Sequence, residues 1–210
     1  MVPDTDIVIE GYPRSCNSWA VVGFVDRQPP GPLKLAHHKH HAAQLLRAVQ
    51  WGIPAVMLIR EPKGAVLSWI AMREEEQHRN GLWFYKPSFT EALGDWIAFY
   101  RAVLPYCNQL VIAPFEEVKA DIPHMIRAVN ARFGTSFAAG PLLRKRDFTF
   151  HALPNALRNQ IKCGLEEDFE RKLERSDRLR NMLDEANALH REILMRHESS
   201  RVPPGDVKDS

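Results

Sequence analysis

Arginine, serine and histidine residues stand in three short clusters of this sequence, each following a stretch rich in apolar residues. Arg14, Ser15, Cys16, Asn17, Ser18 and Trp19 follow Ile7-Val8-Ile9. His37, His38, His40 and His41 follow the short apolar stretch from Leu33. Arg60 and Ser68 follow Pro54-Ala-Val-Met-Leu-Ile59. A guanidinium offers a planar fork of donors that suits a phosphate or a sulfate. Small hydroxyl and amide residues between a strand and a helix put backbone N–H groups, and the positive end of the helix dipole, around the same anion. Imidazole ordinarily titrates close to neutrality and can take a proton from a reacting group. Together these residue types can hold a multiply charged anion and deprotonate a neighbour.

The clusters need elements to position them. Ile7 to Ile9 reads as a buried strand stopped by Gly11 and Pro13, and the apolar run from Trp19 to Val25 reads as a helix. After a proline- and glycine-rich loop, Leu33 to His37 is a short strand, and Ala42, Leu45, Leu46 and Val49 have helical spacing up to Gly52. Pro54 to Ile59 is a second continuous apolar strand, and Pro62 opens a helix through Ile70. Residues 73–86, charged and then aromatic, read as a loop over the top of the sheet. Ser88 and Glu91 form a capping box ahead of a helix, Gln109 to Pro114 is a further strand, and Asp121 starts a helix that Gly134 stops. Residues 135–155 read as irregular and the C-terminal part as helical; the polar tail, 201–210, is expected to be disordered. Strands alternating with helices predict an α/β three-layer sandwich, a central parallel sheet with helices on both faces, as a single domain over 1–200. Ligands of such sheets gather at the carboxyl ends of the strands, so the three clusters are expected to meet at one rim.

Composition narrows the partners. The chain has 210 residues and a formal charge of +2, which gives no global argument for nucleic acid or membrane, so an anion site must be local. Cys16, Cys107 and Cys163 are widely spaced, unlike a disulfide framework or a zinc ribbon, and suit a reducing compartment. With no basic-then-apolar leader and no membrane-length apolar run, the expectation is a cytoplasmic protein.

The loop after the first strand invites comparison with the Walker A pattern, G-x-x-x-x-G-K-[ST]. Counted from Gly11, its second glycine falls on Cys16 and its lysine on Asn17, and only Ser18 fits. A kinase or NTPase is therefore disfavoured. Tyr12-Pro-Arg-Ser-Cys-Asn-Ser-Trp19 instead resembles the 5′-phosphosulfate loop of the sulfotransferases, usually Y-P-[KR]-S-G-[TS]-[TS]-W, with Cys16 at the usual glycine. Arg60-Glu-Pro-Lys-Gly-Ala-Val-Leu-Ser-Trp69 is similar to that family's 3′-phosphate segment, R-[ND]-P-[RK]-D-x-x-x-S-x-[YW], with Gly64 at the usual aspartate. Val111 to Asp121 looks like its late strand and [YF]-E-[DE]-[LV] turn, and the match runs in order from about residue 6 to 133.

The resemblance implies a P-loop NTPase-like sulfotransferase fold. It also implies transfer of a sulfuryl group from 3′-phosphoadenosine 5′-phosphosulfate (PAPS) to a hydroxyl or amine of a small-molecule or carbohydrate acceptor, with no metal. It assigns Arg14 and the backbone of Ser15, Cys16, Asn17 and Ser18 to the 5′-phosphosulfate, and Arg60 with Ser68 to the 3′-phosphate. Trp19 goes to the adenine; a core position in the first helix is the alternative. His37 aligns with the family's K-[TS]-H base, with Ala36 at the hydroxyl position, and His38 is the alternative base. The histidine cluster also invites a metal reading, His37 and His41 lying one turn apart if helical, but no carboxylate or cysteine beside it completes a site.

The nucleotide-closing R-K-G-x-x-G-[DN]-W segment is missing. Arg158 and Lys162 near Gly164 are its substitutes, or else ordinary solvated helix charges. These departures keep a second reading open, a non-catalytic protein of the same fold that binds PAPS or its product PAP. Trp83, Phe84 and Tyr85 could wall an acceptor pocket or pack in the core, and Arg144-Lys-Arg146 could attract an anionic acceptor or be a solvated loop.

Overall fold

The structure, a computed structural model, describes residues 2–81, 85–143 and 155–200. Trp83, Phe84, Arg144-Lys-Arg146 and the tail at 201–210 lie outside the described residues. Among the described residues, four strands, β1 (Ile7–Gly11), β2 (Leu35–His37), β3 (Ala55–Ile59) and β4 (Val111–Pro114), form one sheet in the order β2-β1-β3-β4. Every pairing is parallel. The apolar runs that read as strands are continuous because both faces of the sheet are covered.

The alternation of side chains divides the core into two. Val8, Met57, Ile59 and Ile112 pack on one face against α2 (Ala43–Trp51), α3 (Pro62–Asn80), α4 (Phe89–Val103), α7 (Ala156–Arg175) and α8 (Asp177–Ser200). Ile7, Ile9, Val56, Leu58, Val111 and Ala113 pack on the other against α1 (Asn17–Val25), α5 (Phe115–Ala120) and α6 (Ile122–Phe133). This period of two gives the three layers expected from the sequence.

Local signals set the helix ends. Glu61 caps α3 by accepting from the Gly64 N–H at 2.7 Å, with Pro62 in the first turn. Ser88 and Glu91 form the reciprocal capping box of α4, Asp121 caps α6, and Gly134 ends α6 in the left-handed conformation. One expectation is corrected. Residues 73–80 are not a loop: α3 continues through them to Asn80 and ends on Gly81 at φ 61°. Arg73, Glu74, Glu75, Glu76 and Gln77 are good helix formers, and this part of the helix is packed against α7, so charge did not mark a surface loop.

Chain order places a switch beside β1. From β1 the chain runs through α1, on one face, to β2 at the sheet edge; it then returns through α2, on the other face, to β3 on the far side of β1. The loops leaving β1 and β3 therefore diverge at the carboxyl edge, where the ligand crevice of such a sheet is expected. Gly11 lets the two strands close up beneath it, since a Cβ at that position would stand 2.5 Å from the Leu58 carbonyl oxygen. Gly11→Ala is expected to force the strand ends apart and to cost about 1–3 kcal/mol, as overpacking does. Urea unfolding monitored by circular dichroism measures it.

Candidate anion site

The loop from β1 into α1 is bent by two non-glycine residues in the left-handed region, Arg14 at φ 67° and Cys16 at φ 76°. Neighbouring contacts fix this conformation. The Ser15 N–H and the Asn17 side-chain amide both donate to the Tyr12 carbonyl, at 3.2 and 3.0 Å. The Tyr12 hydroxyl donates to the Ala92 carbonyl on α4 at 3.0 Å, and the Tyr100 hydroxyl, also on α4, donates to Leu58 at 2.8 Å and lies 3.2 Å from the Ser15 hydroxyl. Burial pushes both tyrosine hydroxyls well above their ordinary pKa, so they stay protonated donors. Tyr100 carried no signal in the sequence beyond its place in an apolar helical stripe.

The loop delivers its residues unequally. Ser15 is buried, with its N–H and its hydroxyl both engaged within the protein. Asn17 is also buried. Cys16 precedes α1, so Asn17, Ser18 and Trp19 form the first helical turn, whose N–H groups have no intrahelical carbonyl to bond. Trp19 is 38% exposed, not a core residue. Burial, more than the opposing charges of Lys119, Arg60 and Arg14, pushes the Cys16 thiol up to about 12.

Arg14 joins the first cluster to the third. Its Nε donates to Ser68 Oγ at 3.0 Å, and Nη1 lies 3.6 Å from Met72 Sδ. Arg60, from the end of β3, donates through Nη1 to the Arg14 carbonyl at 3.4 Å. Its guanidinium lies 4.2 Å over the Phe115 ring at the start of α5, which places the third matched segment beneath the second. The Nε of Arg60 is buried without a hydrogen bond, its nearest carboxylate being Glu61 at 3.5 Å. Arg14, Arg60 and Ser68 thus converge, and Ser68, which the resemblance assigns with Arg60 to the 3′-phosphate, here accepts from Arg14.

A third guanidinium stands beside them. Arg158, on α7, is 6% exposed, and so is not the solvated charge that its helical setting suggested. Its Nε donates to Glu75 at 2.5 Å; Glu75, 2% exposed, also pairs with Arg79 and accepts from Asn155. Burial would raise the Glu75 carboxyl, but the bond and charge of Arg158, with Asn155 and Arg79, hold it below its ordinary pKa. Ser68, Met72, Glu75 and Arg79 recur at helical spacing, so one face of α3 seats both Arg14 and Arg158. Burial and then the charges of Arg158 and Arg60 lower Arg14 to about 10, which leaves it protonated at neutral pH. Lys162 pairs with Glu166 along α7.

The histidines end β2 and turn toward the loop. His37 is the last residue of β2, and α2 begins only at Ala43, so His37 and His41 do not share a helix. His38 Nε2 lies 2.9 Å from Ser18 Oγ, and His38 Nδ1 lies 2.5 Å from His37 Nδ1. His37 is exposed and His38 half-buried. Burial lowers His37, against the charge of Glu10; burial and the imidazoles of His37 and His40 take His38 down to about 4. Both rings are therefore neutral at pH 7. Tyr85, from the proposed acceptor wall, is 68% exposed, and its carbonyl accepts from Arg73.

No protein-family model matches the chain, and no curated protein matches it. Among solved structures it is similar to mouse sulfotransferase SULT7A1 complexed with PAP, at 16% identity and a TM-score of 0.49, over 86% of this chain and 88% of that one.

The left-handed φ at Cys16 gives a physical reason for glycine at this loop position, since only glycine adopts it without a Cβ penalty. Cys16→Gly is expected to change stability by less than about 1 kcal/mol, relief of strain offsetting the lost side-chain contacts. Cys16→Val should cost about 1–3 kcal/mol, because a β-branched residue is excluded there. Thermal and urea unfolding of the pair provide the measurement.

Proposed function

We propose that the protein is a PAPS-dependent sulfotransferase, moving a sulfuryl group to a hydroxyl or amine of a small-molecule or carbohydrate acceptor. The observation that carries this reading is the junction of the two motifs. Arg14 and Ser68, 54 residues apart, share a hydrogen bond, and Arg60 holds the Arg14 carbonyl. Motifs that match phosphosulfate- and 3′-phosphate-binding segments thereby form one cationic crevice at the carboxyl edge of the sheet.

In this reading Arg14 and the first turn of α1, from Asn17 to Trp19, hold the 5′-phosphosulfate, and Arg60 reads the 3′-phosphate with its buried, unbonded Nε facing a need for an acceptor. Trp19, partly exposed on α1, offers its ring to the adenine. The transferring group carries negative charge on its peripheral oxygens and the leaving oxygen gains charge, so fixed cations and N–H dipoles supply much of the stabilisation. His37, or His38 beside it, takes the acceptor proton. Phosphoryl transfer from ATP fits less well. Asn17, at the Walker lysine position, is buried with its amide on the Tyr12 carbonyl and has no cation to offer a γ-phosphate.

Three measurements test this. Thermal shift should show stabilisation by 3′,5′-bisphosphoadenosine and not by ATP with magnesium; the reverse pattern would sink the reading. Arg60→Ala should weaken 3′,5′-bisphosphoadenosine by about 1.5–3 kcal/mol, the worth of a charge-assisted contact, and adenosine 5′-phosphate much less. Equal losses by calorimetry would remove Arg60 from the 3′-phosphate. Labelled sulfate transfer across an acceptor panel separates the enzyme from a non-catalytic binder of the same nucleotide.

A further inference from the structure

Glu10 is wholly buried and is the penultimate residue of β1, which leads into the anion loop. A carboxylate so placed is costly unless its oxygens are bonded. Here they are. Oε1 accepts from the Gly11 N–H at 3.1 Å, and Oε2 accepts from the Lys39 N–H at 2.9 Å and from Gln44 Nε2 at 3.1 Å. His40 Nδ1 stands 3.6 Å from Oε1 and 3.0 Å from the Gly11 carbonyl, to which it must donate. Lys39 lies between His38 at φ 56° and His40 at φ 52°, both left-handed without being glycine. Glu10 thus grips the middle of a strained turn, and the residue held on its near side, His38, meets Ser18.

The contacts continue in one line. Ser18 Oγ, in the first turn of α1, meets His38 Nε2, and His38 Nδ1 meets His37 Nδ1. That line runs from the anion crevice to the exposed ring of His37. We propose that Ser18, His38 and His37 form a proton relay from the acceptor to the departing anion, and that Glu10 is the positioning residue that holds it. The inference rests on the sulfuryl-transfer reading.

The protons balance with both rings neutral, each carrying one. Before transfer, His37 bears its proton on Nδ1, donating to His38 Nδ1, and His38 bears its proton on Nε2, donating to Ser18 Oγ. The acceptor hydroxyl gives its proton to His37 Nε2 as its oxygen bonds to sulfur. His37 passes the Nδ1 proton to His38 Nδ1, His38 passes its Nε2 proton to Ser18, and Ser18 gives its own to the phosphate oxygen. The S–O bond to that phosphate breaks with the electron pair left on the phosphate oxygen. One acceptor proton is removed and one leaving oxygen is protonated, with no net charge left on the histidines. This accounts for imidazoles held neutral: each must accept a proton on one nitrogen while releasing one from the other. It also explains why the turn is clamped, since a relay fails when one link drifts by an ångström.

The test combines spectroscopy and kinetics on the full chain. Nitrogen-edited proton spectra of the protein with 3′,5′-bisphosphoadenosine should show a far-downfield imidazole Nδ1 proton, lost in His37→Gln, His38→Gln and Glu10→Gln. If Glu10→Gln does not fold, Gln44→Ala, which removes one of the clamping donors, should shift and broaden the signal instead. For transfer, His37→Gln and His38→Gln should each lower kcat by about 10²-fold or more, the range of general acid–base catalysis, with bisphosphate affinity unchanged. The double variant should be little worse than either single one, as for residues acting as a unit. Independent, multiplying losses, or a His38→Gln enzyme within twofold of the wild type, would overturn the relay. Bisphosphate binding without the downfield proton overturns the relay alone. Failure of the protein to bind the bisphosphate overturns the functional reading, and the relay with it.

Discussion

The loop between β1 and α1 depends on keeping two side-chain-bearing residues in the left-handed region. Each such residue costs about 1–2 kcal/mol against an ordinary conformation. Arg14 and Cys16 remain there because the surroundings over-determine the loop: two donors meet on the Tyr12 carbonyl, and two α4 contacts hold Tyr12 and Ser15 from behind. The side chain of Arg14 and the first turn of α1 inherit their positions from this loop. Arg14 points along α3 because its backbone is turned that way, and α1 opens toward the crevice because Cys16 completes the bend before Asn17. Tyr100 matters doubly, since the same hydroxyl that faces Ser15 also satisfies the carbonyl of Leu58 in β3. The loop is thereby tied to the central strands and not merely to a neighbouring helix.

Two buried carboxylates flank this loop and solve different problems. Glu75 lies among Arg158, Arg79 and Asn155, and so supplies negative charge where guanidinium groups crowd. Without it, Arg158, a buried cation close enough to Arg14 to lower its pKa, would lose the carboxylate it pairs with. Glu10 instead bonds backbone and amide N–H groups, and its task is geometric: it holds the turn that follows β2. The chain carries a formal charge of only +2, so the positive field at this edge is local and comes from where the arginines stand. Their separation in sequence, with the Arg14–Ser68 bond spanning 54 residues, means the site exists only once the sheet is assembled.

The sequence by itself determined the elements and their order. Short continuous apolar runs bounded by glycine and proline read as strands buried on both faces, and Ser88, Asp121, Gly52 and Gly134 mark helix ends through local backbone chemistry. It also placed Arg14, Arg60, Ser68 and the histidines after strands, which in a parallel sheet means one rim. What tertiary structure alone decided was which of these touch. Ser68 pairs with Arg14 and not Arg60, and His38 rather than His37 meets Ser18, because a helix rotation or a single turned residue exchanges such partners while leaving the pattern of residue types intact. Residues 73–80 read as a loop because their charges resemble a solvated surface; the partners of Glu75, Arg158 and Asn155, arrive from α7 and its N-cap some 80 residues later. Glu10 did carry a signal, a carboxylate inside an apolar strand, but its meaning depended on Lys39 and Gln44 closing over it. Periodicity and capping are local and can be read along the chain; hydrogen-bond partners across layers are fixed by packing, which no stretch of the chain contains on its own.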